Sequence, residues 1–320
     1  VGSVAAPMLN KVGYEKNAAG GLLAAGGLGA IISPPVLGAA AFLIADFLKI
    51  SYLDVLLMSI IPTILFYLGL FTMVEIDVRK YGMKAMHFEA VESAWSLSKK
   101  YWFHFFSLIS IVLFMAMGFT PVMSVLWATI ISALTSMLRR DTAIIPYDWF
   151  MGKQPILKGL YESNFTKALA SGSTGVLAIA ATCAGAGLIV GTVVLTGLGL
   201  KFSSIVIQYA GGSLLLTAIF TAFIVWIVGL AVPVTASYII CAVIAAPALI
   251  NLGVPAFAAH MFIFYYAVLS EVSPPTALSP FAEAAICKGN PYKTTLQSWK
   301  YVAPAILVPF MFVLDKSGVS

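Results

Sequence analysis

Long apolar segments dominate this sequence and constrain its fold more than any single motif. Eight of them follow one another along the chain: 18–48, 52–74, 103–118, 122–138, 172–200, 212–250, 255–287 and 298–314. A helix that crosses the hydrocarbon core of a bilayer needs about 20 apolar residues. Charged residues make up only 10% of the chain, whereas soluble domains carry about 25%. The sequence therefore predicts an all-α polytopic membrane protein.

The sequence also contains an internal repeat at an offset of 240 residues. Residues 5–35 share ten identities with residues 245–275 without a gap, including an Ala-Ala-Pro and a Ser-Pro-Pro (SPP) triplet in each copy. Apolar composition alone supplies matching alanines and leucines, but it does not readily supply these triplets in register. Because internal repeats are typical of secondary transporters, we predict a duplicated membrane core.

The positive charges discriminate between two arrangements of the long segments. If 212–250 is a re-entrant hairpin and both SPP segments cross the membrane, 15 Lys and Arg residues lie on one side and 3 on the other. If the SPP segments are the hairpins instead, the split is 11 against 7. Cytoplasmic loops carry the excess of Lys and Arg, so the first arrangement is favoured. It places the C-terminus outside the cytoplasm and predicts that the two repeats are inverted.

These expectations divide the chain into three parts. Residues 1–75 hold the end of the first repeat, with a hairpin exit arm, the broken helix 18–48 and the helix 52–74. Residues 76–101 form an amphipathic linker at the membrane interface. Residues 102–320 form the second repeat, with helices 103–118, 122–138 and 172–200, the hairpin 212–250, the broken helix 255–287 and the helix 298–314. Because the chain opens without Met inside an apolar segment, we expect the tip of the first hairpin upstream of Val1.

The SPP triplets are the first candidate site. Proline removes an N–H donor from a helix and clashes with the carbonyl four residues back. Such a break at bilayer depth is tolerated only where the backbone faces protein or a cavity. The carbonyls affected are those of Ala30, Ile31, Ser270 and Glu271. Together with the serine hydroxyls they predict two sites for a hard cation such as Na⁺, formed by Ser33, Pro34 and Pro35 and by Ser273, Pro274 and Pro275. A lone membrane proline is more often a simple kink.

The middle of segment 212–250 supplies the candidate substrate-binding residues Pro233, Thr235 and Ser237. Read in isolation, Thr and Ser more often cap or back-bond a helix, but the charge distribution places these residues at a hairpin tip. Glu271 lies two residues before Ser273. An ionisable residue within a membrane segment is a functional-site hypothesis by default, so Glu271 is a candidate for proton or cation coupling. A structural hydrogen bond to a neighbouring helix is an equally open interpretation.

Other chemistry has little support in the sequence. The three histidines, His87, His104 and His260, are not spaced with other ligands, so no metal site beyond Na⁺ and no cofactor is predicted. No zinc-protease, P-loop or nucleophile-elbow motif is present, which argues against a membrane enzyme. The net charge of +5 fits basic cytoplasmic loops, so no nucleic-acid partner is expected.

Four stretches of the chain, 20–70, 194–204, 232–285 and 290–312, resemble the large membrane subunit of tripartite ATP-independent periplasmic (TRAP) transporters. The segments AIISPPVLGAA and EVSPPTALSP are the most specific part of this resemblance. In particular, the chain is similar to the fused permease type that works with TAXI-type binding proteins. Carried over by position, the cation-binding loops of the family fall on the two SPP triplets and its second hairpin tip on residues 233–237.

The resemblance implies an elevator-type symporter in a bacterial or archaeal inner membrane. It implies import of an organic acid with Na⁺ or H⁺, a periplasmic TAXI-type solute-binding protein as partner, and a small four-helix membrane subunit or fused region. Two alternatives stay open. One is a dicarboxylate:cation symporter that needs no binding protein, and the other is a membrane fragment that does not transport.

Overall fold

The computed structural model describes residues 2–35, 37–83, 93–140, 142–145, 163–230 and 232–315. Every regular element within these ranges is a helix, as the apolar segments predict. In chain order they are α1 (Gly2–Val12), α2 (Lys16–Ile32), α3 (Ala39–Leu48), α4 (Tyr52–Tyr81), α5 (Ala94–Tyr101), a 3₁₀ turn (Trp102–His104), α6 (Phe105–Ala116), α7 (Pro121–Ser136), α8 (Asn164–Thr196), α9 (Leu198–Tyr209), α10 (Leu214–Gly229), α11 (Val234–Ile244), α12 (Ala246–Ile250), α13 (Ala256–Ser270), α14 (Leu278–Cys287) and α15 (Pro291–Leu314).

By length and composition, three of the described helices can each cross a membrane: α4, α8 and α15. The other apolar helices are shorter, because breaks divide the long apolar segments of the sequence. Segment 18–48 becomes α2 and α3, segment 255–287 becomes α13 and α14, and segment 212–250 becomes α10, α11 and α12. Many large apolar side chains remain exposed, such as Leu188 (76%) and Leu195 (89%) on α8. Such a surface is stable only against lipid or another protein.

Helices α2 to α4 and α13 to α15 follow the same plan along the chain. α2 and α13 begin 240 residues apart, whereas α3 and α14, like α4 and α15, begin 239 residues apart. The one-residue difference therefore falls between the SPP triplet and the next helix. The turn before each set is also the same, since Gly13 and Gly253 have φ values of 111° and 92°. Glycine adopts this region without the steric cost that other residues have.

Equivalent caps delimit the helices after each triplet. α3 and α14 end at the left-handed residues Lys49 and Lys288. The next helix begins at a polar cap, Ser51 before α4 and Asn290 before α15, whose side chain accepts a backbone N–H bond. Such caps supply acceptors for the first N–H groups of a helix. Both triplets are thus followed by a short helix, a tight turn and a long helix.

The chain forms two compact units, one of residues Val1–His87 and Cys183–Ser320, the other of Phe88–Thr182. In the first unit, α2 packs on α14 and α15, and α13 packs on α10, α11 and α15. α13 is the centre of this unit, because every residue from Ala258 to Ser270 is buried. The hydroxyl of Tyr238 on α11 lies 2.7 Å from Nδ1 of His260 on α13, so this buried polar pair joins the two helices.

The second unit contains α5, α6, α7 and the first residues of α8. α6 and α7 pack as a helical hairpin that is joined by the turn 117–120, where Gly118 has a φ of 90°. Within the predicted interfacial linker 76–101, residues 84–92, including His87, lie outside the described residues. The described parts of the linker are helical: α4 continues to Tyr81, and α5 follows from Ala94.

Candidate functional site

The predicted tip residues lie at the connection between α10 and α11 and in the first turn of α11, and they differ in how far they are buried. Pro233 is exposed at the N-terminus of α11, and Thr235 is half-buried in its first turn. Ser237 is fully buried, and its hydroxyl donates to the carbonyl of Val232 at 3.2 Å. Its backbone N–H donates to the carbonyl of Pro233 at 3.0 Å. Ser237 therefore stabilises the connection between α10 and α11 from its buried side, whereas Pro233 lies on its exposed side.

The second SPP break packs directly against this connection. A Cβ atom built on Gly229, the last residue of α10, would lie 2.0 Å from the hydroxyl oxygen of Ser270, the last residue of α13. Only glycine permits such an approach, because any side chain at position 229 displaces the helix or the serine. The hydroxyl of Thr276 donates to the carbonyl of Leu230. The break after α13 and the connection after α10 thus form one site.

A cavity of about 270 Å³ lies at this junction. Its lining residues are Gly229, Leu230, Val232, Pro233, Ser270, Glu271, Thr276 and Leu278. Among the residues that the structure describes, none hydrogen-bonds or ion-pairs with the Glu271 carboxylate. The structure therefore brings Pro233 and Glu271 together in one cavity, while Thr235 and Ser237 do not line it.

Ser273 is 2% exposed, and its hydroxyl makes two hydrogen bonds. Its hydroxyl donates to the carbonyl of Leu269 at 3.0 Å and accepts from the indole Nε1–H of Trp299 at 3.0 Å. A serine oxygen accepts through two lone pairs, so one lone pair is left for a further ligand. Ser273 also borders an apolar cavity of about 400 Å³, which Trp226 and Trp299 line as well.

The first triplet repeats part of this geometry. The hydroxyl of Ser33 donates to the carbonyl of Gly29, as Ser273 does to Leu269 four residues back. Ser33 is half-buried, and its oxygen lies 3.4 Å from the hydroxyl of Tyr67 on α4. The Pro34–Pro35 and Pro274–Pro275 peptide bonds are both cis. None of the first triplet's residues lines the 270 Å³ cavity.

Two of the carbonyls that the prolines leave without helical donors have other donors. The Ile31 carbonyl accepts the N–H of Gly38 at 3.0 Å, and the Ser270 carbonyl accepts the N–H of Ser273 at 3.0 Å. The expectation of four unoccupied carbonyls is therefore wrong for these two, because the loop folds back on the helix end. Each of the two oxygens keeps one lone pair for another ligand.

Sequence reasoning did not identify Gly229, Thr276 or Trp299 as parts of the site. Thr276 directly follows the second triplet, so its position alone was a usable signal. Trp299 carries no such signal, because it is 26 residues from Ser273 and reaches it only through the packing of α15 on α13. Gly229 is one of 26 glycines, and only the close approach of Ser270 distinguishes it.

The donors around the cavity are oxygen atoms, which suit hard cations or protons. Within the described ranges, no three His, Cys, Asp or Glu residues are grouped as in a transition-metal site. The N-termini of α11 and α14 also border the cavity, since Pro233 directly precedes α11 and Leu278 opens α14. Helix N-termini carry partial positive charge, so the same cavity has features that favour cations and features that favour anions.

Comparison with protein families gives a match over nearly the whole chain. Residues 1–315 match a family model described as DctM: Tripartite ATP-independent periplasmic transporter, DctM component. No match was found among curated proteins.

Proposed function

The chain belongs to the family of the DctM component of TRAP transporters, and from this we propose that it imports an organic acid together with Na⁺ or H⁺. Proteins of this family are large, multi-pass membrane components of solute transporters. They work with a periplasmic solute-binding protein and a small membrane subunit. The proposal adds that the binding protein is of the TAXI type, and it assigns no enzymatic activity and no cofactor other than Na⁺.

The observation that carries the proposal is the Glu271 carboxylate in the cavity at the second SPP break. Glu271 shares this cavity with the hydroxyl-bearing residues Ser270 and Thr276. Carboxylate, hydroxyl and backbone carbonyl oxygens are the ligands that Na⁺ takes at the broken helices of secondary transporters. A proton bound to the same carboxylate neutralises it equally well.

Neutralisation of Glu271 supplies a physical basis for coupling. Two like charges 4 Å apart repel each other by about 4 kcal/mol at an effective dielectric constant of 20. A substrate carboxylate in the cavity therefore binds poorly while Glu271 is charged, and it binds well once Na⁺ or H⁺ has neutralised Glu271. The N-termini of α11 and α14, at Pro233 and Leu278, then stabilise the substrate anion. The proposal keeps Pro233, Thr235 and Ser237 as substrate-binding residues, of which Pro233 lines the cavity.

The test is uptake by the complete transporter, reconstituted in liposomes with its binding protein. A panel of carboxylates is offered under a Na⁺ gradient, a pH gradient or neither. We expect uptake of a carboxylate only when one of the gradients and the binding protein are present. Uptake without the binding protein indicates a stand-alone symporter, and no uptake of any carboxylate by folded protein contradicts the proposal.

A Glu271→Gln variant tests the role of the carboxylate. Glutamine mimics the neutral form, so substrate binding should lose its dependence on the coupling cation or on pH. The matched control is Asp46→Asn, which removes an acidic side chain that is 70% exposed and paired with Lys49. If the variant kept the pH profile and the cation dependence of the unmodified transporter, Glu271 would have only a structural role.

A further inference from the structure

An apolar cavity of about 400 Å³ lies behind the second SPP triplet, between α10, α13 and α15. Its lining comes from all three helices, and no charged residue of the described chain is part of it. Apolar cavities of about 150 Å³ already bind small hydrocarbons such as benzene. This cavity is therefore large enough for an apolar ligand, and apart from Ser273 the sites proposed above do not use its lining.

The few polar groups in the lining are already engaged or turned away from the open space. The Tyr266 hydroxyl donates to a backbone carbonyl of α15 at 2.8 Å. The Trp299 indole N–H donates to the Ser273 hydroxyl at 3.0 Å, and Ser273 is only 2% exposed. The indole N–H of Trp226 is buried as well, so it does not face the open space of the cavity. A ligand in this cavity therefore meets an almost purely hydrocarbon surface.

The cavity is elongated along the helix axes. α15 runs antiparallel to α13, because Trp299 contacts Ser273 and Phe310 lies edge-on against Phe262, with ring centres 5.4 Å apart. Trp299 and Phe310 both line the cavity, and the eleven residues from one to the other span about 16 Å of helix. A volume of about 400 Å³ over this length gives a mean cross-section of about 25 Å². This shape fits a single extended chain and is too narrow for a helix, which is about 10 Å across.

One side of the cavity opens into an exposed apolar surface. Phe223 belongs to the lining and is 55% exposed, and Met311, next to the lining residue Phe310 on α15, is 50% exposed. α10 contains no charged residue, and α15 contains none after Lys300. An exposed apolar surface of this kind lies against lipid or protein. The cavity is therefore accessible from the hydrocarbon region of the membrane.

We propose that the cavity binds one acyl chain of a membrane lipid, with the methyl end of the chain against Trp226 and Trp299. The uncharged lining and the narrow cross-section fit a hydrocarbon chain. The direction follows from the helices, since Ile219 lies near the start of α10 and Phe310 near the end of α15. The two tryptophan rings, 5.7 Å apart, lie at the opposite end of the cavity beside the second triplet. Because the ends of spanning helices lie at the membrane surface, the ester end of the lipid leaves at Ile219 and Phe310. The methyl end then packs against the indole that donates to Ser273.

The test uses the complete transporter in lipid nanodiscs with a phosphatidylcholine that carries a photoreactive diazirine on one acyl chain. A diazirine at the methyl end should label peptides that contain Trp226 or Trp299, whereas a diazirine next to the ester should label peptides that contain Ile219 or Phe310. Unlabelled phosphatidylglycerol should compete as well as unlabelled phosphatidylcholine, because no charged residue lines the cavity. Glycerophosphocholine has the headgroup without the acyl chains, so it should not compete.

Variants distinguish the cavity from the general lipid-facing surface. Ile306→Trp fills the cavity from α15 and should reduce labelling of the Trp226 and Trp299 peptides about fivefold or more, because no room is left for the chain. The matched control is Leu307→Trp, which places the same indole at the next residue, where the side chain is exposed and does not line the cavity. This control should leave the labelling unchanged. If Ile306→Trp does not fold, Ala222→Leu fills the cavity from α10 with a smaller side chain and should also reduce the labelling.

Equal labelling of Ile306→Trp and Leu307→Trp overturns the proposal, because the chain would then lie only on the outer surface. Absence of label from both tryptophan peptides also overturns it, as expected for a cavity that another polypeptide covers. Competition by glycerophosphocholine contradicts the acyl-chain assignment, because the headgroup alone would then be the ligand.

Discussion

Ser273 and Ser33 occupy equivalent positions in the two SPP triplets, but their surroundings differ. Ser273 is 2% exposed, and the indole of Trp299 orients its oxygen. Ser33 is half-buried, and its hydroxyl donates to the Tyr67 hydroxyl at 3.4 Å. A buried polar group without a partner costs about 1–3 kcal/mol. Loss of the hydrogen-bond partner should therefore reduce stability more at Ser273 than at Ser33.

The Trp299 hydrogen bond leads to the first prediction. Trp299→Phe leaves the buried Ser273 oxygen without its donor and should lower the free energy of unfolding by about 1–3 kcal/mol. The matched control is Trp226→Phe. Trp226 lines the same apolar cavity, but its indole N–H is buried with no partner in the described part of the chain. Loss of that N–H should therefore cost little.

The measurement for both tryptophan variants is thermal unfolding of the purified transporter in detergent. Because both substitutions exchange an indole for a phenyl ring in one cavity, the loss of packing is similar. The difference between the two unfolding midpoints therefore reports the hydrogen bond. Equal midpoints would show that Trp299 acts on Ser273 only through packing.

Close approach at Gly229 leads to the second prediction. Gly229→Ala places a methyl group 2.0 Å from the Ser270 oxygen, so it should destabilise the protein by about 1–3 kcal/mol and reduce uptake. Gly27→Ala is the control, because a Cβ at that helical position meets no atom within 4 Å. The double variant Gly229→Ala/Ser270→Gly removes the obstructing atoms and should recover stability. If it recovered none, the contact between α10 and α13 would not be the cause.

At the scale of helices, a buried charge pair joins α4 to α15. Asp77 on α4 is fully buried, and the ammonium of Lys300 on α15 lies 2.5 Å from its Oδ2 atom. The hydroxyl of Tyr301 donates to the same oxygen at 2.5 Å. Since α4 belongs to the first copy of the repeat and α15 to the second, this pair connects the two copies.

Removal of one partner of a buried pair leaves an uncompensated charge, which costs about 3–5 kcal/mol. We therefore predict that Asp77→Asn lowers the unfolding midpoint strongly, as measured by thermal unfolding in detergent. The control is Glu75→Gln on the same helix. Glu75 pairs with Arg79, whose side chain is 80% exposed, and such surface pairs contribute about 0–1 kcal/mol.

A second substitution tests the interpretation of the Asp77 result. Asp77→Leu/Lys300→Met replaces both charges with apolar side chains, and such replacements are often neutral. The double variant should therefore be more stable than Asp77→Asn. If it were as unstable as the single variant, the loss would come from packing rather than from charge.

At the scale of the whole molecule, the repeat is visible in backbone geometry as well as in sequence. Gly13 and Gly253 have positive φ, and in both turns the next residue donates its N–H to the carbonyl five residues back, at Leu9 and Leu249. The caps after the triplets agree in the same way. Two copies of one sequence pattern thus form the same local structure at both ends of the chain.

This correspondence predicts equal costs at equivalent positions. Gly13→Ala and Gly253→Ala each introduce a Cβ in open space but at positive φ, so each should cost about 1–2 kcal/mol from backbone strain alone. The double variant should show the sum, because distant sites are additive within about 0.5 kcal/mol. Thermal unfolding of the three variants is the measurement, and a large difference between the single variants would argue against equivalent turns.

The sequence alone determined the class of the protein, its helical structure, its family and the positions of its breaks. These properties depend on features that act locally or through composition. The length of an apolar segment sets whether it can cross a bilayer, and proline removes a helical donor wherever it occurs. The two SPP breaks and the repeat can therefore be identified from the sequence alone. The inverted orientation of the repeats, the cytoplasmic side and the identity of the coupling ion stay predictions.

Only the tertiary structure decided which of the candidate residues meet. Pro233 and Glu271 share a cavity, Ser237 is buried below the tip, and the first triplet lies outside that cavity. Trp299 and Lys300 find their partners Ser273 and Asp77 across 26 and 223 residues. Such contacts depend on how whole helices pack, and one residue's type does not specify the packing partner of a helix. The local chemistry of the site was therefore predictable from the sequence, whereas its assembly was not.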